Sequence, residues 1–125
     1  MQQNGIRSQW FAQRTVDGVG EDGAREVITL WIERRPGAVW AVGRAVDLDR
    51  RRDGAIHRDD YLFEGFEMGD ALEAANDALA AELEVARQDG RARPVTEFTA
   101  EELLQPLERW FFGHPVRPAS SSPAP

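Results

Sequence analysis

Arg25-Glu26-Val27-Ile28-Thr29-Leu30-Trp31-Ile32-Glu33-Arg34-Arg35-Pro36-Gly37-Ala38-Val39-Trp40-Ala41-Val42-Gly43-Arg44-Ala45-Val46-Asp47 is the stretch whose reading decides the fold. Val27–Ile32 is dense in β-branched and aromatic residues, which suit a pleated, half-buried surface, and Val39-Trp40-Ala41-Val42 resumes the pattern. Between them Pro36 presets φ for a first central turn position, and Gly37 supplies the positive φ that a type II turn needs next. The stretch therefore predicts two antiparallel strands joined at Pro36-Gly37. An even-length turn sets Arg34 opposite Val39, Ile32 opposite Ala41, Leu30 opposite Gly43 and Ile28 opposite Ala45.

Because side chains alternate across a strand, that register sorts the faces. One face then sets Ile28, Leu30 and Ile32 against Ala45, Gly43 and Ala41, a trough in which a helix could lie close. The other sets Val27, Thr29, Trp31 and Glu33 against Val46, Arg44, Val42 and Trp40. Two indoles, aliphatic groups and an arginine make this second face too apolar for solvent and too polar for a plain core. A one-residue bulge would exchange the partner strand's faces. The candidate binding face is accordingly Trp31, Trp40, Arg44, Val42 and Thr29.

Outward from the hairpin, Ser8–Val16 reads as a first strand. Its alternation places Trp10, Ala12, Arg14 and Val16 on one face and Phe11, Gln13 and Thr15 on the other. A glycine-rich acidic connection follows, Asp17-Gly18-Val19-Gly20-Glu21-Asp22-Gly23. It lacks the Lys-Ser/Thr pair and following helix of a phosphate-cradling loop. Tyr61-Leu62-Phe63-Glu64-Gly65-Phe66 reads as a fourth strand, with Gly65 marking a bulge or a close backbone approach. Met68-Gly69-Asp70 then opens a long helix. Asp70 is its expected N-cap, Leu72, Ala75, Leu79, Leu83 and Ala86 are its apolar stripe, and Gly90 is its left-handed stop.

Thr99-Ala100-Glu101-Glu102 is a capping box that starts a second helix through Leu103, Leu104, Leu107, Trp110 and Phe111, with Pro106 interrupting it. The expected class is α+β: a four-stranded antiparallel sheet, a long helix and a second C-terminal helix. Residues 8–112 form the single domain, residues 1–7 an N-terminal tail, and residues 113–125 a disordered Pro/Ser-rich tail.

Composition agrees with one globular domain: 125 residues, 42% hydrophobic and 30% charged, long enough for a core. No apolar run approaches the roughly 20 residues of a membrane span. No signal peptide is read at Met1-Gln2-Gln3-Asn4-Gly5, and the expected location is cytoplasmic. The chain has no cysteine, which excludes disulfides, thiol catalysis and Cys-ligated zinc.

The net charge of −7 opposes bulk electrostatic coating of nucleic acid. Residues 1–60 hold ten Arg and ten Asp/Glu, and residues 61–125 hold five Arg and twelve Asp/Glu, so the excess lies in the helical half. Every basic residue is arginine, which a GC-rich bacterial coding bias explains more simply than selection for arginine chemistry. In Asp47-Leu48-Asp49-Arg50-Arg51-Arg52-Asp53-Gly54, arginines stand where a calcium loop needs oxygen ligands. Arg50, Arg51 and Arg52 are candidate phosphate contacts, although the flanking aspartates offset them.

Catalytic motifs are lacking: there is no Gly-x-Ser-x-Gly, and His57 and His114 are the only histidines. No metal and no cofactor is expected. The order of elements over Ser8–Gly90, with Trp31, Trp40 and Arg44 on one presumed face, resembles the β4α module of the Whirly proteins and related transcriptional coactivators. That resemblance implies a dimer presenting strands to single-stranded DNA. The stretches Tyr61–Gly65 and Leu107–Gly113 also look like those of a small uncharacterised bacterial family, which implies no activity.

Three roles compete for the Trp31/Trp40/Arg44 face: core under a Trp110/Phe111 helix, a dimer or partner interface, or a platform for stacked bases. The expected function is a non-enzymatic binding or assembly module, homodimeric, or one that binds another protein. Single-stranded nucleic-acid binding is the alternative, disfavoured by charge, and an enzyme with an unrecognised carboxylate-based site is the second alternative. No membrane contact is expected.

Overall fold

The computed structural model describes residues 10–20, 22–91 and 93–104. Its class is the expected α+β. Strands β1 (Trp10–Val19), β2 (Arg25–Arg35), β3 (Val39–Val46) and β4 (Tyr61–Gly65) form one antiparallel sheet in the order β1-β2-β3-β4. Helix α1 (Met68–Gln88) follows, and residues 100–104 are again helical. Short 3-10 turns at Leu48–Arg50 and Arg58–Asp60 carry the chain from β3 to β4. The parts of the second helix and of the two tails placed at residues 1–7 and 105–125 lie outside the described residues.

The β2–β3 turn departs from the expectation by one residue, and the pairing of these two strands follows from that residue. Arg35 pairs with Val39, leaving a three-residue loop, Pro36-Gly37-Ala38. Both Gly37 and Ala38 are left-handed, at φ 84° and 62°. Alanine adopts this conformation at a cost of roughly 1–2 kcal/mol, so the residue type gave no signal of it. The odd loop sets Ile32 opposite Val42, Leu30 opposite Arg44 and Ile28 opposite Val46, with Trp31 opposite Gly43 and Thr29 opposite Ala45. The expected face sorting is thus overturned: Trp31 and Thr29 lie on one face, and Trp40, Val42 and Arg44 on the other.

A bulge between Trp10 and Ala12 does the same to β1. Trp10 turns to the Trp31 face, while Phe11 and Ala12 both enter the core with Val16. The core packs Ile28, Leu30, Ile32, Trp40 and Val42 against Ala71, Ala75, Leu79 and Ala86 of α1. The helix therefore covers the aliphatic face and not the expected trough of Ala41, Gly43 and Ala45. Small residues on the helix, not on the sheet, allow the close approach. The stripe was read correctly: Ala75, Leu79 and Ala86 are buried, with Leu72 and Leu83 packed beside them. Its cap was not, because Glu67 precedes the first turn and Asp70 lies within it. The Gly90 stop is as expected, with φ 72° and the Arg91 amide donating to the Ala86 carbonyl at 2.7 Å.

The trough exists on the opposite face, and a side chain of the sheet itself fills it. A Cβ placed on Gly43 would lie 2.1 Å from Cζ2 of Trp31, and Trp31 is wholly buried. Gly65 plays a smaller version of the same part beneath the ring of Phe63, where a Cβ would lie 2.8 Å from Cζ.

Beyond α1 the chain returns along β1. Asn76 holds the backbone of Phe98 twice, donating to its carbonyl at 3.0 Å and accepting its amide at 2.8 Å. The expected capping box is formed: the Glu102 amide donates to Thr99 Oγ1 at 3.2 Å, and the Thr99 amide to Glu102 Oε1 at 3.3 Å. Arg14 of β1 forks onto Glu102 at 2.8 and 2.9 Å and donates to the carbonyls of Thr96 and Glu97. Its guanidinium also lies 4.6 Å from the centre of the Phe98 ring.

Substituting Gly43→Ala forces the buried Trp31 indole from its position. Overpacking of this kind costs about 1–3 kcal/mol, and chemical denaturation is expected to show a loss of that size or more, with near-ultraviolet dichroism reporting the displaced indole. Unchanged stability would mean that Trp31 does not lie over Gly43.

Candidate interaction surface

The face opposite α1 carries a cluster that the sequence did not announce. Glu33 is the second residue after Trp31 and so shares its face, and its side chain is only 6% exposed. Its Oε1 accepts the Trp31 indole N–H and the Tyr61 hydroxyl, both at 2.8 Å, and its Oε2 accepts Arg35 Nε at 2.9 Å. Arg35 lies 4.4 Å from the centre of the Tyr61 ring and also pairs with Glu64. Trp10 stacks on Trp31 with centroids 5.0 Å apart, and Tyr61 meets Trp31 edge-on at 5.7 Å. The network joins β1, β2 and β4 across β3.

Burying a charged carboxylate is unfavourable unless its oxygens are hydrogen-bonded and a countercharge is near. Here both oxygens are occupied and Arg35 supplies the charge. Burial pushes the Tyr61 hydroxyl up to about 12; its bond to Glu33 adds to the rise, while Arg35 opposes it. Burial acts to lower the Arg35 pKa, but the bonds to Glu33, Glu64 and Tyr61 outweigh it and raise it above the ordinary arginine value. The Tyr61 hydroxyl therefore stays protonated and Arg35 charged through the physiological range, and the network braces the three strands against one another.

The expected binding face is split by the register. Trp31 and Thr29 belong to this braced face and are buried. Trp40 and Val42 lie under α1, with Arg34 5.5 Å from the centre of the Trp40 ring. Arg44 donates to Glu82 of α1 at 2.6 Å. Trp31, Trp40 and Arg44 therefore form no common surface, and neither buried indole is presented to a base. Of the arginine run, Arg51 is committed to Asp60 through two bonds of 2.6 and 2.8 Å and to the Ala55 carbonyl, while Arg50 and Arg52 are exposed. His57 meets Asp53 at 3.0 Å, and no three His or carboxylate groups gather to hold a metal among the described residues.

What the brace presents is the outer edge of β4. Among the described residues strand β3 is its only neighbour in the sheet, and a bulge lets Leu62 project at 52% exposure. Phe66, just beyond the strand, is 72% exposed. Arg58, Tyr61, Leu62, Phe63 and Glu64 line an open groove along this edge. The other outer strand, β1, is flanked by the segment that Arg14 ties down. The exposure of Leu62 and Phe66 was not legible in the sequence, since both read as ordinary members of an aromatic strand. Comparison with protein-family models, curated proteins and solved structures finds no match. No helix among the described residues is long and apolar enough to cross a membrane.

Two expectations follow from the brace and its neighbours. Glu33→Ala strips partners from Trp31, Tyr61 and Arg35 at once. It is expected to cost about 3–5 kcal/mol, the range for breaking a buried ion pair, whereas Tyr61→Phe removes one bond and costs about 1 kcal/mol; parallel urea titrations check both. The second concerns pH. The hydrogen bond from Arg51 holds the Asp60 carboxyl below its usual range, and that from Arg14 does the same for Glu102. Each group binds its proton more readily in the unfolded chain, so its contribution is present above the unfolded pKa, near 4, and is lost as pH falls through the folded value. Asp60→Asn with Glu102→Gln should flatten the acid limb of a stability–pH curve below about pH 4; an unaltered limb would contradict these pairings.

Proposed function

We propose that this protein is a non-enzymatic assembly module that forms a homodimer by pairing the β4 edges of two copies. The observation that carries this reading is the outer strand itself, which among the described residues has no strand on its far side and is flanked by the exposed Leu62 and Phe66. Such an edge is a template for a further strand.

The edge is also self-complementary. Two copies running antiparallel about Leu62 bring Leu62 against Leu62 and Arg58 of each copy near Phe66 of the other. An arginine against an aromatic face is attractive, and Arg58 has no ion pair among the described residues. The same register sets Asp60 near Glu64, where like charges would oppose pairing. Each of those carboxylates already has its own arginine, Arg51 and Arg35 respectively. The Tyr61 ring meets Trp31 edge-on and its hydroxyl bonds Glu33, which ties the strand to the sheet behind it and lowers the entropic cost of association.

Light scattering coupled to size-exclusion chromatography is expected to give about twice the 14.0 kDa chain mass for the unmodified protein. Leu62→Lys is expected to give the chain mass itself, because the two-fold seam then carries two facing ammonium groups. Within the single chain Leu62 is 52% exposed and supports no part of the core, so circular dichroism should be unchanged. A concentration-independent monomer for the unmodified protein, or a dimer that survives Leu62→Lys, would refute the β4 seam.

A further inference from the structure

At the β1 side of the sheet, across from β4, three arginines gather about one carboxylate. Arg25 comes from the first position of β2, Arg91 and Arg93 from the segment after the Gly90 cap, and Asp17 from β1. Arg25 and Arg93 reach the same atom, Asp17 Oδ2, at 3.2 and 3.4 Å, and the Asp17 side chain is 19% exposed. Arg91 lines the same depression and makes no ion pair among the described residues. One carboxylate thus faces three guanidinium groups in a chain of net charge −7.

Two adjoining cavities share Asp17, Arg91 and Arg93. One is an open depression of about 360 Å³ that extends to Arg25 and Gly90. The other, about 80 Å³ and more enclosed, runs inward between Val16, Leu83 and Val95, with Thr15 at its side. About 10–15 Å³ admits a single water, so the inner cavity accepts several carbon atoms.

Cations after a helix C-terminus commonly complement the macrodipole, which accounts for Arg91 and Arg93 by themselves. It does not account for Arg25, which comes from a strand, nor for the convergence of two arginines on one oxygen beside an apolar recess. Guanidinium groups from separate elements around one opening are the arrangement that grips a phosphate or carboxylate through paired N–H donors.

We propose that this corner binds a small organic oxyanion, a phosphate monoester or carboxylate with a short aliphatic body. The anionic head is held among Arg25, Arg91 and Arg93, and the body enters the recess between Val16, Leu83 and Val95. Asp17 keeps two of the guanidinium groups in place when the site is empty and competes with the ligand head. This site is separate from the β4 edge, and its fate does not depend on the dimer.

Isothermal titration of the full chain with butyl phosphate, butyrate and inorganic phosphate at low salt tests the proposal. At least one of the two butyl ligands is expected to saturate with a Kd in the low-millimolar range or tighter, about −4 kcal/mol, and more tightly than inorganic phosphate. Whether phosphate or carboxylate is preferred identifies the head group. Arg91→Ala/Arg93→Ala should weaken binding about tenfold or more, Arg52→Ala should leave it unchanged, and Asp17→Asn should strengthen it. Absence of saturation by about 10 mM for both butyl ligands, or equal binding by the Arg91/Arg93 double variant, would overturn the site. Binding of a single-stranded oligonucleotide with none of either butyl ligand would likewise replace a compact oxyanion pocket with a backbone contact.

Discussion

The indole of Trp31 lying on the bare backbone of Gly43 is the constraint on which the rest of this structure depends. The ring occupies the space that any side chain at position 43 would need, so the pair fixes which residues of β2 and β3 oppose each other. A slip of one residue would drive a Cβ into the ring and turn the aliphatic face away from α1. Once the indole lies there, its N–H points at Glu33, and Glu33 gathers Tyr61 and Arg35. A single steric match thus carries a charged network with it.

That match also divides the labour between the two faces. The aliphatic side chains opposite Trp31 receive α1, whose alanines let it lie close, and Arg44 meets Glu82 where the helix passes. The other face is closed by rings and braced by ions. Among the described residues neither face is left as a broad aromatic platform. At one rim the segment after α1 is drawn along β1 by Arg14. At the other, β4 carries exposed apolar groups beside Arg58, which makes no ion pair among the described residues. Arg14, Arg35, Arg44 and Arg51 are spent on carboxylates of neighbouring elements, and Arg25 and Arg93 share Asp17.

Much of the architecture was legible because it is written locally. The β-branched runs gave the strands, the Leu/Ala spacing gave the helix and its buried side, Gly90 gave its end, and Thr99 with Glu102 gave a capping box that forms as spelled. The errors in face assignment share one physical origin. An alanine in a left-handed conformation lengthened a turn, and a bulge at Phe11 turned Trp10 over. A side chain's face depends on the parity of every residue between it and the turn. Asp70 failed as a cap for a milder reason, since an aspartate in the first turn of a helix is also favoured by the helix dipole.

The sequence by itself determined the class, the order of the elements and the helix surface that is buried, because propensity, periodicity and capping act over a few residues. Only the tertiary structure decided which side chains share a face, which strands lie at the edges of the sheet, and that Glu33 is the hub of the aromatic cluster. Those outcomes rest on register, and register is settled by contacts between distant residues such as Trp31 and Gly43. No local pattern encodes whether a loop holds two residues or three when its third residue is an alanine.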